Sequence, residues 1–102
     1  MSLSEQSCVQ EVEALGLQQL NELMPQVEGW ELQTDMLSKT FQFAKFNDAV
    51  IFVNRIAELS EKEKHFPEIL INYNIVRVTL WTQKVNGLSE NDFILAAKID
   101  KL

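Results

Sequence analysis

The stretch Glu63-Lys64-His65-Phe66-Pro67-Glu68 carries the only histidine of the chain. Imidazole is the side chain that ordinarily changes charge near neutral pH, so His65 is the first candidate for moving a proton. Glu61 stands four residues earlier. If one helix runs through both, the two share a face and the carboxylate can hold the ring. The alternative is a solvated charge in the polar run 60–64, with His65 merely complementing a helix end. One histidine and one distant cysteine, Cys8, supply no zinc ligand set. Neither a glycine-rich phosphate loop nor a nucleophile elbow is present. The chemistry open to His65 is general acid–base transfer, or a triad whose partners lie far away in sequence. Trp30 and Trp81 are flat side chains that either stack on a heterocycle or pack in a core. Trp81 falls on the opposite strand face from Val78 and Leu80, which favours a pocket, a covered sheet surface or a subunit contact.

These residues need a scaffold, and 102 residues make one domain, spanning 1–102 with residues 1–7 expected to be flexible. A hydrophobic fraction of 46% supports a core, and a net charge of -6 without a Lys/Arg cluster argues against nucleic acid as a direct partner. No apolar run is long enough for a membrane span, and the N-terminus lacks the basic start and apolar stretch of a signal peptide. A lone cysteine in a tail is an incidental thiol and fits a reducing cytoplasm.

Val9, Val12, Leu15, Leu17, Leu20 and Leu23 have helical spacing, which predicts an amphipathic helix over 8–24, weakened at Gly16 and ended by Pro25 and Gly29. Residues 30–32 suit a short strand, and Leu37, Phe41 and Phe43 alternate as a half-buried strand does. Asn47 is the expected cap of a second helix buried through Ala49, Val50, Val53, Ile56 and Ala57. Pro67 stops it near His65. Ile69, Ile71 and Tyr73, then Val76, Val78 and Leu80, form the faces of an antiparallel hairpin turning at Asn74. Residues 85–88 read as a loop. Ser89 and Asp92 then form a capping box opening a last helix. The order helix, strand, strand, helix, strand, strand, helix implies an α+β domain: one antiparallel sheet with helices on one face.

Three spaced blocks carry a family resemblance. They are Glu61-Lys62-x-x-His65-x-Pro67-Glu68; Tyr73-Asn74-x-Val76-x-Val78-Thr79-Leu80-x-Thr82; and Gly87-Leu88-Ser89-Glu90-x-Asp92-x-x-Leu95-Ala96. With residues 29–32 and 40–62 upstream, the chain from Leu17 onward resembles the pterin-4a-carbinolamine dehydratases. The resemblance implies a four-stranded antiparallel sheet, homodimers joined edge to edge, and often homotetramers. It implies loss of water from a 4a-hydroxytetrahydropterin to give the quinonoid dihydropterin, as in tetrahydrobiopterin recycling, with no metal or cofactor. Family enzymes resemble one another in a His-His-Pro block and a Thr-His pair. Here His65 keeps the first histidine, Phe66 replaces the second and Gln83 the third, while Ile69 stands where a tryptophan is usual. Carried over, His65 held by Glu61 is the acid–base group, Gln83 a hydrogen-bonding anchor and Phe66 an apolar wall. Trp81 lies on the pterin-binding face, and Pro67, Tyr73, Thr82 and Asp92 match family positions around the substrate. Relatives of the family also resemble assembly factors, some for RuBisCO. A fold that has lost catalysis and holds a protein client is therefore the alternative, and a molybdenum-cofactor-related pterin a third option.

Overall fold

The structure, a computed structural model, describes residues 2–102. Its elements are α1 (Leu17–Leu23), β1 (Glu31–Gln33), β2 (Met36–Gln42), α2 (Phe46–Glu63), β3 (Glu68–Asn72), β4 (Ile75–Leu80) and α3 (Glu90–Ile99). The strands form one antiparallel sheet in the order β1-β2-β4-β3. This is the α+β architecture expected from the element order. Among the described residues, no helix is long and apolar enough to cross a membrane.

Side chains alternate across a strand, so Leu37 on β2 and Val76, Val78 and Leu80 on β4 point to one face. All four are fully buried, with Leu37 paired to Leu80. Ala49, Phe52 and Ile56 of α2 and Phe93, Leu95, Ala96 and Ile99 of α3 join them in the core. Full burial of each larger apolar side chain contributes roughly 1.5–3 kcal/mol. Phe52 also packs on two β2-side aromatics, 4.7 Å from Phe41 and 5.1 Å from Phe43 between ring centroids. The other sheet face mixes polar and apolar side chains: Arg77 donates to Ser38 Oγ at 3.1 Å, while Met36, Leu70 and Ile75 are exposed beside them.

Trp30 belongs to this core. It is buried, meets Phe41 edge-on at 6.1 Å, and its indole N–H donates to Asp100 Oδ2 at 3.0 Å. Asp100 Oδ1 accepts from Lys39 Nζ at 2.9 Å. With its polar atom satisfied inside the core, Trp30 is not available for stacking on a ligand.

Several sequence expectations change. The N-terminal helix is confined to Leu17–Leu23, because Gly16 is its extended N-cap and residues 8–15 find other partners. The Leu15 N–H, for instance, donates to Leu88 O at 2.9 Å. At the start of the chain Leu3 is buried and Lys98 Nζ donates to Ser4 O at 3.0 Å. Met1 lies outside the described residues. Helix α2 starts one residue before Asn47, on an extended Lys45. Its buried stripe is Ala49, Phe52, Ile56, Ser60 and Glu63, which leaves Ala57 exposed. The stripe follows the 3.6-residue period through Phe52, and that period rotates Ala57 toward solvent.

Candidate active site

Two local features bring His65 to its place. Helix α2 ends on Lys64 in the left-handed conformation, φ 59 and ψ 37, with the N–H groups of Lys64 and His65 both donating to Ser60 O. A left-handed residue just past a helix reverses the chain. Pro67 then disfavours helical backbone at Phe66, and the chain runs extended into β3. The hairpin does the rest: antiparallel pairing sets Glu68 opposite Thr79, so the chain just before β3 lies beside the chain just after β4. His65 and Phe66 thereby meet Trp81, Thr82 and Gln83 around a cavity of about 410 Å³.

The His65 side chain is only 12% exposed, and Nε2 lies 2.6 Å from Asp92 Oδ1, whose side chain is fully buried. The second oxygen, Oδ2, accepts from the Thr82 hydroxyl at 2.8 Å and from the Ser89 backbone N–H at 3.0 Å. Thr82 Oγ1 and Ser89 Oγ are 2.7 Å apart. Because the Thr82 proton goes to the carboxylate, Ser89 must donate to Thr82. A carboxylate is an acceptor only, so the proton of a neutral His65 ring sits on Nε2 and leaves Nδ1 with its lone pair. Asp92 thus caps α3 and fixes the ring at once.

The structure gathers His65, Phe66, Trp81, Thr82 and Gln83 on one cavity wall and leaves four expected residues elsewhere. Glu61 is exposed on α2 and makes no ion pair with His65. The helix ends at Glu63 and the left-handed Lys64 turns the histidine away, so the four-residue spacing is never helical over its whole length. Tyr73, with φ 53, forms the β3–β4 turn and is 66% exposed. Five β residues separate that turn from Pro67, about 17 Å along the strand. Pro67 is half-buried and shapes the turn without lining the cavity. Asp92 stands behind the histidine, with no surface for a ligand.

Sequence reasoning missed Asn91, Lys64, Lys84, Val9, Gln10 and Val12, which also line the cavity. Asn91 and Lys64 adjoin the motif blocks and could have been found there. Residues 9–12 carry only a helical apolar spacing that misdirects. Just before them stands Cys8, whose backbone N–H donates to Glu63 Oε1 at 2.9 Å. Burial, reinforced by the Glu63 carboxylate, pushes the Cys8 thiol up to about 12. The thiol is therefore inert at neutral pH. At pH 8 a disulfide reagent should label folded protein at least about a hundredfold more slowly than protein in denaturant. Equal rates would remove the buried-thiol assignment. Because the folded value lies above the unfolded one, the neutral thiol supports the fold fully below about pH 9. That support is lost as pH rises toward about 12.

A family model described as pterin 4 alpha carbinolamine dehydratase matches residues 13–102. The chain belongs to this family. A provisionally named pterin-4-alpha-carbinolamine dehydratase of Halorhodospira halophila is 45% identical over all of this chain and 98% of its own. One of Rubrobacter xylanophilus is 38% identical over 98% of this chain and 97% of its own. The crystal structure of a transcriptional coactivator/pterin dehydratase from Brucella melitensis matches with a TM-score of 0.82 at 32% identity, over 86% of this chain and 96% of that one. A pterin dehydratase-like protein described as a RuBisCO assembly factor in the alpha-carboxysome matches with a TM-score of 0.58 at 26% identity, over 71% and 83%. The pterin-4a-carbinolamine dehydratase fold thus holds here, with one histidine where the resemblance implies three.

Proposed function

We propose that this protein is a pterin-4a-carbinolamine dehydratase running on a single histidine. The observation that carries the reading is the His65 ring, oriented by buried Asp92 on the wall of a cavity that also holds Trp81, Phe66 and Gln83. The substrate is a 4a-hydroxytetrahydropterin and the product a quinonoid dihydropterin, as in tetrahydrobiopterin recycling. His65 Nδ1 removes the proton from the pterin ring nitrogen. The bond from C4a to the hydroxyl oxygen breaks, a carbon–nitrogen double bond forms, and the departing oxygen takes a proton from the imidazolium. The sum is release of one water, with no redox partner. Gln83, exposed at the cavity mouth, hydrogen bonds to the heterocycle, while Phe66 and Trp81 offer faces for stacking. Thr82 acts through Asp92.

The test is dehydration of freshly generated 4a-hydroxytetrahydropterin, with the uncatalysed rate subtracted. A rate at background would overturn the enzyme reading. It would favour a non-catalytic, client-binding scaffold, toward which the 59% exposure of Phe66 beside His65 and the likeness to a RuBisCO assembly factor point.

We also propose a homo-oligomer. Strand β3 is a sheet edge carrying Leu70 at 62% exposure and Ile71 at 36%, and an apolar edge of this kind calls for a partner strand. Light scattering at micromolar concentration should return a dimer or tetramer mass; a monomer mass would count against it.

A further inference from the structure

We propose that residues 8–12 form a strap closing one side of the pterin pocket, and that Asn91 is the positioning residue that holds it there. The inference rests on the pterin-binding reading above.

Three observations carry it. Val9, Gln10 and Val12 line the same cavity as His65, although more than fifty residues separate them in sequence. The segment has no helix or strand of its own, so its course is set by anchors at its ends. At one end Asn91 grips Val9 from both sides. Its Oδ1 accepts the Val9 N–H at 3.0 Å, and its Nδ2 donates to Val9 O at 2.7 Å. The Cys8 N–H goes to Glu63, whose other oxygen lies 3.6 Å from Lys98 Nζ. At the other end Leu15 is tied to Leu88. In between, Lys84 Nζ reaches Gln10 O at 3.4 Å.

Asn91 is itself buried, 5% exposed, and spends its whole amide on one backbone position. A residue needed only for packing at that depth would be apolar, because a buried amide must have each polar atom matched. Its neighbour Asp92 holds the His65 ring. The first turn of α3 therefore positions two walls at once: the base through residue 92 and the strap through residue 91. A flat bicyclic ligand between them is enclosed only while the strap is seated. Loss of the strap opens the site to water and weakens ligand binding without removing the acid–base group.

The experiment is isothermal titration calorimetry of the full chain with 7,8-dihydrobiopterin, combined with amide hydrogen exchange at Val9. Asn91→Ala should weaken binding about tenfold, the loss expected for one to two hydrogen bonds. Asn91→Asp keeps the acceptor for the Val9 N–H and should fall between. Val9→Pro removes that N–H from the strap side and leaves α3 untouched, so it decides the matter if Asn91→Ala fails to fold. The Val9 amide of the unaltered protein should exchange more slowly with ligand present, a response that a purely structural tie would not give. Unaltered protein that binds, with folded variants that bind equally well and a Val9 amide indifferent to ligand, would overturn the strap alone. Unaltered protein that does not bind would overturn the pterin reading and the strap together.

Discussion

Replacing Asp92 with alanine is expected to lower the unfolding free energy by about 2–6 kcal/mol, roughly 1–3 kcal/mol for each of the two buried donors left without their acceptor. The reason lies in what the carboxylate leaves behind. It is fully buried and accepts from His65, Thr82 and the Ser89 backbone. Its loss strands the Ser89 N–H at the start of α3 and the Thr82 hydroxyl in a dry site, and water cannot reach either without opening the core. Asp92→Asn should cost less. An amide fills the same space and still accepts, but it offers one oxygen where the carboxylate offers two. Urea unfolding followed by circular dichroism reads both variants. A cost under about 1 kcal/mol for the alanine variant would mean that the network around Asp92 contributes little to stability.

The second large effect concerns rate. His65→Ala should reduce dehydration above the uncatalysed background by roughly 10²–10⁴-fold, the usual contribution of one general acid–base group. With Phe66 and Gln83 flanking the cavity, no other cavity-lining side chain has an imidazole to substitute for it. The ring is bonded to the Asp92 side chain at the cavity wall, so the variant should remain folded, and its circular dichroism spectrum checks this. An unchanged rate in the folded variant would remove His65 from the mechanism.

Asp92 connects these two results. Sequence spacing read it as the capping partner of Ser89, and family position placed it beside the substrate. The structure supports the cap and moves the residue behind the histidine, out of contact with the cavity. A cap is local, written in four consecutive residues, and so is readable in sequence. The bond to His65 spans 27 residues and depends on how α3 docks against the end of α2. Glu61 shows the same limit from the other side. Its spacing from His65 was right for a helical pair, but the left-handed Lys64 ends the helix first. Whether a helix continues for one more turn is settled by tertiary packing as much as by propensity, because isolated helix ends are marginal.

By itself the sequence determined the element order, the sheet-and-helix class, the buried faces of β2 and β4, the family, and His65 as the residue to examine. Each of these rests on short-range periodicity or on motif blocks that survive without coordinates. Only the tertiary structure decided which carboxylate holds the histidine, that Trp30 is core while Trp81 faces a cavity, that Tyr73 lies a strand's length away, and that residues 8–12 wall the site. Those are contacts between segments distant in the chain. They are fixed by strand register, by helix docking and by the demand that every buried polar atom find a partner, and none of these is expressed in local spacing.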